Sequence, residues 1–154
     1  METAFGKRLD RVRQASPLVH CISNLVTAND CANIVLAAGA SPIMADAPEE
    51  VREITALSRA LCLSLGTPNP RKADAMFLAG SKAAELGLPV VVAVNMMDLV
   101  EKAGDKIHTD KLSKLLGCEV VEISALKGTG IQKAAEKAIS LVERKNEVTP
   151  VHEF

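Results

Sequence analysis

A chain of 154 residues, 48% hydrophobic and 24% charged, is long enough to bury the core of one ordinary globular domain. Eighteen Lys plus Arg against nineteen Asp plus Glu leave a net charge of −1, which offers no basic footprint for nucleic acid or an anionic membrane. With three Phe and neither Tyr nor Trp, stacking platforms for single-stranded bases are missing too, so nucleic acid is excluded as a partner.

The chain opens with METAFGKRLDRVRQ, in which Phe5, Leu9 and Val12 set one apolar stripe at helical spacing; its charges read as a helix rather than a signal sequence. No apolar run approaches the ~18 residues of a membrane span, so the expectation is a soluble, cytoplasmic chain with no membrane partner. Five short apolar runs come next, each leading into a helical pattern. PLVHCIS at 17–23 precedes Thr27-Ala-Asn-Asp30, an N-cap with an acid in the first turn, and a helix that Gly39 ends. SPIMA at 41–45 is followed by Ala47-Pro48, and LCLSLG at 61–66 by Asn69-Pro70; each proline suits a first helical position, where its missing N–H costs nothing. Gly87 closes the long helix opened at Pro70. After PVVVAVN at 89–95, Thr109 opens a segment that Gly117 closes. CEVVEIS at 118–124 then precedes Thr129-Gly-Ile-Gln132, patterned as a capping box for a last helix fading near Lys145. The tail NEVTPVHEF has no periodicity and is expected to fray.

Runs apolar on both faces that alternate with helices predict a parallel sheet covered on both sides. No internal repeat, low-complexity segment or linker interrupts the series, so one domain over 1–154, made of right-handed βαβ units, is expected. The four cysteines, Cys21, Cys31, Cys62 and Cys118, lie far apart, never as C-x-x-C, and mostly in apolar surroundings; buried free thiols are expected, and no metal site.

Ligands of an open parallel sheet bind beyond the carboxyl ends of its strands. The residues placed there are Ser23, Asn24, Met44, Asp46, Gly66, Thr67, Asn95, Asp98, Ser124 and Ala125. Several have a structural use as well: Asp46 suits a helix cap, Gly66 and Thr67 a turn, and Met44 an apolar strand. Asn95, Asp98, Ser124 and Ala125 are more specific, because guanine presents a definite set of polar edges. A carboxylate at Asp98 would accept from the ring N–H and the exocyclic amine, Asn95 would brace the two loops, and the Ala125 N–H would donate to the base oxygen. No phosphate loop of the form G-x-x-x-x-G-K-[ST] accompanies them.

On these motifs, residues from about 85 to 145 resemble the end of the G domain of ferrous-iron transport protein B, which is similar in its N-x-x-D with Met and in its S-A-L-K-G-x-G loop. The phosphate loop, switch segments and D-x-x-G of that family do not occur, so GTP hydrolysis is not implied. What the resemblance implies is a relict guanine site at Asn95, Asp98, Ser124 and Ala125, with weak guanine-nucleotide binding at most and no other cofactor. The first half, LVHCISNLVTANDCANIVLAAGASPIMADAPEEV with LCLSLGT and MFLAGSKAAELGLPVV, resembles the amino-terminal part of hydroxyethylthiazole kinase from about Thr3 to Val90. That family has a ribokinase-like fold and phosphorylates a thiazole alcohol for thiamine synthesis. The resemblance implies thiazole-lining roles for Asn24, Val26, Met44 and Gly66 at a trimer interface, so a monomer or a homo-oligomer is expected. Gly128-Thr129-Gly130 imitates the G-T-G of the anion hole in those kinases, but Ile131 stands where the family has a Cys or an acid. Isoleucine moves no proton, and no catalytic residue is assigned.

The two resemblances meet near Glu85-Leu86-Gly87-Leu88-Pro89 without a linker. The reading they give is an engineered chimera, with a kinase-like part at 1–88, a G-domain-like part at 89–146 and a frayed tail at 147–154. It is expected to be an α/β protein, a flavodoxin-like three-layer α/β/α sandwich on one five-stranded parallel sheet of order 2-1-3-4-5, with no intact active site and no catalytic activity. The alternatives are a weak guanine-nucleotide or thiazole binding module, and a residual hydroxyethylthiazole kinase.

Overall fold

A computed structural model describes residues 4–67 and 69–143. They fall into two compact units, Met1–Leu86 and Gly87–Phe154. The first unit runs α1 (Ala4–Ala15), β1 (Leu18–Ile22), α2 (Ala28–Ala37), β2 (Ser41–Ile43), α3 (Val51–Leu57), β3 (Ala60–Leu63) and α4 (Pro70–Glu85). The second runs β4 (Val91–Val94), α5 (Met97–Ala103), α6 (Thr109–Leu116), β5 (Glu119–Glu122) and α7 (Ile131–Glu143). All five expected strands form, and every pairing between them is parallel. The single sheet of order 2-1-3-4-5 is not what the described residues show: the strands make one three-stranded sheet, β2-β1-β3, and one two-stranded sheet, β4-β5. Apolar run and flanking helix specify a strand locally, but which edges hydrogen-bond is a tertiary matter that neither encodes.

Within the first unit the pleat separates two faces. His20 and Ile22 point to the side of α3 and α4, where Ile22, Val51, Ala75, Met76 and Ala79 form the core and Leu61, Leu63 and Leu78 pack against it. A fully buried aliphatic side chain of this kind contributes about 1.5–3 kcal/mol. Cys21, between them, points the other way, toward α2, where its neighbours include Cys31. Gly39 ends α2 at φ +91, and the Arg13 side chain and backbone occupy the space a Cβ would need; only glycine lets that turn close on α1. Asn69 caps α4 as its position suggested: the side chain accepts from the Lys72 N–H at 2.9 Å, with proline in the first turn. The Pro48 expectation shifts instead. Residues 48–50 form a turn and α3 begins at Val51.

In the second unit α6 packs on β5 and α7 on both strands. Gly104 and Gly117 end α5 and α6 in the left-handed region. The expected capping box before α7 does not form, because the Gln132 amide donates to Glu136 one turn on. Thr129 pairs instead with Ser124 through two backbone hydrogen bonds, of 3.0 and 3.1 Å. The tail at 147–154 lies outside the described residues. Among the described residues no helix is long and apolar enough to cross a membrane.

Candidate functional site

Parallel pairing brings the carboxyl ends of β1 and β3 side by side, and the Ser64 N–H, one residue past β3, donates to the carbonyl of Ile22, the last residue of β1. The chain leaves β1 through Ser23 and Asn24, and the hydroxyls there form a directed series. The Asn24 side-chain oxygen accepts from the Thr27 N–H at 2.9 Å and from the Thr27 hydroxyl at 3.0 Å. Having donated there, Thr27 Oγ1 accepts from Ser23 at 2.6 Å, and Ser23 in turn accepts weakly from the Cys31 thiol at 3.8 Å. Thr27 therefore precedes α2 as expected but does not cap it through its side chain. The consequence lies in Asn24: two donors fix its Oδ1 as the acceptor, so its Nδ2 is the end turned toward Gly66. A Cβ at Gly66 would stand 3.5 Å from that nitrogen.

Met44 and Asp46 leave β2 on either side of Ala45, whose carbonyl accepts from His20 Nε2 at 2.8 Å. A carbonyl only accepts, so Nε2 carries the proton and, in the neutral ring, Nδ1 accepts from the Thr55 hydroxyl at 2.9 Å. His20 is fully buried, and both of its nitrogens are thereby satisfied. Lys72, on the first turn of α4, reaches the Ser23 carbonyl at 2.5 Å and the Asp46 carboxylate at 3.0 Å. Neither His20 nor Lys72 stands out in the sequence. The histidine sits in an ordinary apolar strand run and the lysine at an ordinary helix start, and the partners of both lie 25 or more positions away. Val26 is 88% and Leu25 90% exposed, on the loop after Asn24. Thr67 holds φ +52.

The second unit gathers all four residues expected to read a base. The Ser124 hydroxyl donates to Asp98 Oδ1 at 2.7 Å, and the Lys127 N–H donates to Ser124 Oγ at 3.3 Å. Asn95 Oδ1 accepts from the Ala125 N–H at 3.0 Å, so the bracing between the loops and the N–H expected for a base oxygen are one and the same bond. Beside Asp98 a cavity of about 440 Å³ is lined by Leu99, Glu101, Lys102, Leu126 and Lys127. A second cavity, of about 410 Å³, opens by Val90, Gly117 and Glu119, at the amino ends of β4 and β5 and away from these residues. Gly130 holds φ +75, and the Glu122 carbonyl and Ile123 occupy the space a Cβ would need; this G-T-G is built into the Ser124 loop.

The cysteines are free, but only Cys21 is buried; Cys62 is exposed, since strand alternation turns it away from the core that Leu61 and Leu63 face. Burial, and then the neighbouring Cys62 and Cys31, push the Cys21 thiol up to about 11, which keeps it protonated at neutral pH. Among the described residues no group of three or more His, Cys, Asp or Glu is disposed to hold a metal ion.

A family model, the Hydroxyethylthiazole kinase family, matches residues 9–147. The hydroxyethylthiazole kinase of Desulfovibrio desulfuricans is 48% identical over 126 residues, 82% of this chain and 42% of its own. That of Clostridium beijerinckii is 46% identical over 124 residues, 80% of this chain and 42% of its own. The chain thus spans less than half the length of the curated relatives it matches. Among solved structures, hydroxyethylthiazole kinase from Pyrococcus horikoshii OT3 aligns with a TM-score of 0.53 at 44% identity, over 56% of this chain and 34% of that one. A GDP-bound NFeoB variant from S. thermophilus aligns with a TM-score of 0.50 at 22% identity, over 80% of this chain and 60% of that one, a likeness of fold alone.

These matches overturn the engineered chimera, the inactive scaffold and the expectation that the chain is no enzyme. The family model runs through residues 85–90, where the sequence suggested a join, and on to 147. Beyond Val90 the N-M-M-D and S-A-L-K-G-T-G motifs mask the kinase resemblance. Two motifs of a few residues each weigh little beside identity sustained over more than a hundred.

Proposed function

The chain belongs to the hydroxyethylthiazole kinase family, and from that premise we propose that it acts in phosphorylating a thiazole alcohol for thiamine synthesis, contributing the substrate-binding edge. The observation that carries this reading is the 48% identity to a curated kinase across 82% of the chain. Asn24, Val26, Met44 and Gly66 line the thiazole. The Asn24 amide, held with its nitrogen outward by Thr27, donates to an acceptor such as the ring nitrogen or the alcohol oxygen. Gly66 leaves room beside it. Phosphoryl transfer asks a protein chiefly for positioning and charge stabilisation, and these residues supply the positioning, presenting the alcohol oxygen that takes the phosphoryl group. A homotrimer with the pocket at a subunit boundary belongs to the same reading, supported by the exposed Leu25 and Val26 next to Asn24. Titrating hydroxyethylthiazole into isotopically labelled protein should shift the signals of Asn24, Met44 and Gly66, and chromatography should detect the phosphorylated alcohol after incubation with ATP. The reading fails if neither the shifts nor the product is found.

A second reading rests on one contact, the Ser124 hydroxyl on Asp98 Oδ1, which orients a carboxylate at the rim of a cavity. Its remaining lone pairs suit the paired N–H groups of guanine. About twenty nucleoside atoms at roughly 0.3 kcal/mol each give at best about 6 kcal/mol, or tens of micromolar. Calorimetry with GDP tests this: weak binding is expected, a sub-micromolar constant would contradict the ceiling, and no detectable binding would overturn the reading.

A further inference from the structure

The two strand-exit loops that carry Asn24 and Met44 meet on a single ammonium. Lys72 Nζ donates to the carbonyl of Ser23, one residue before Asn24, and pairs with the carboxylate of Asp46, two residues after Met44. The contacts span 49 and 26 positions of sequence, so neither loop could hold this geometry by itself. The lysine side chain is only 14% exposed while Asp46 is 51% exposed, which places the charge under the loops with its partner toward water. A largely desolvated ammonium needs partners, and one carbonyl and one carboxylate at 2.5 and 3.0 Å take two of its three donors. Lys72 itself is fixed: its N–H is bound by the Asn69 cap, and Pro70 sets the first turn of α4. On the other side of the Met44 loop, buried His20 holds the Ala45 carbonyl. Ala45 and Asp46 are thus tied from two elements at consecutive residues.

The geometry points to Lys72 as a positioning residue that clasps the β1–α2 and β2–α3 loops together and so sets the separation of Asn24 and Met44 across the thiazole site. This role rests on the proposed substrate site, but the clasp itself does not require it. Lysine suits the task because its three donors radiate from one point, whereas the planar fork of arginine needs coplanar acceptors and a wider gap.

The test compares Lys72→Met, which keeps the stem and removes the charge, with Lys72→Arg and Asp46→Asn, in the full chain. In ligand-free protein, the methyl signal of Met44 and the amide signals of Asn24 should shift and broaden in Lys72→Met, less so in Asp46→Asn, while the core methyls of Ile22 and Val51 stay put. Hydroxyethylthiazole binding should weaken about tenfold in Lys72→Met, the cost of one misplaced polar contact, with Lys72→Arg in between. Unmoved Met44 and Asn24 signals in Lys72→Met would overturn the clasp, as would a general loss of dispersed signals, which would mark a merely structural lysine. If the unmodified chain does not bind the thiazole yet the loop signals respond as stated, the substrate reading fails and the clasp stands.

Discussion

The unit built on β2-β1-β3 closes around Ile22, Val51, Ala75, Met76 and Ala79, and it satisfies its one buried imidazole with Thr55 and the Ala45 carbonyl. The unit built on β4-β5 buries, among the described residues, only Val121 and Ser124, and none of its three helices contributes a buried residue. A two-stranded ladder is marginal in water without a packed face. Order in the second unit therefore rests more on the polar net of Asn95, Asp98, Ser124 and Thr129. Similar parallel pairing is upheld by apolar burial in one region and by loop hydrogen bonds in the other, and the two should answer to different substitutions.

The largest effect should come from Ile22→Ala, which empties the core of the first unit and costs about 2–5 kcal/mol in denaturant unfolding. In the second unit Ser124→Ala should act as the counterpart. It strips Asp98 and the Lys127 N–H of their shared partner and costs about 1–3 kcal/mol, read as faster amide exchange in β4 and β5. If Val121→Ala proves far more damaging there than Ser124→Ala, the contrast between the units breaks down. Asn69→Ala should cost the first unit about 1 kcal/mol through the lost cap of α4, with the midpoint of unfolding falling and its slope unchanged. Smallest is the acid response of the surface. Hydrogen bonds from Arg52 and then Lys82 hold the Glu85 carboxyl below the usual glutamate range. The stability that this pairing adds is present at neutral pH and is lost as acid titrates the carboxyl below that range. The acid limb of the first unit's stability should flatten slightly in Glu85→Gln.

The candidate site was legible wherever its chemistry was local. Asn24 and Gly66 could be placed at strand ends because apolar runs end there, and Asp98 with Ser124 because their residue types fit one ligand. Lys72 and His20 could not, since each acts on residues 25 or more positions away and looks, in its own neighbourhood, like an ordinary helix start and an ordinary strand. The Ala125 N–H illustrates the converse: its position in the loop suited a base oxygen, yet the fold gives that hydrogen bond to Asn95.

Short-range physics in the chain decided the five strands, the proline and asparagine at the start of α4, and the glycines that end the helices, because each arises from torsional limits, apolar period or a cap within a few residues. Tertiary structure alone decided the partition into a three-stranded and a two-stranded sheet and the nitrogen face of Asn24. It also brought one lysine beneath two loops. Those features depend on edges and donors meeting across dozens of residues, where many pairings satisfy the same local pattern and only the packed arrangement selects among them.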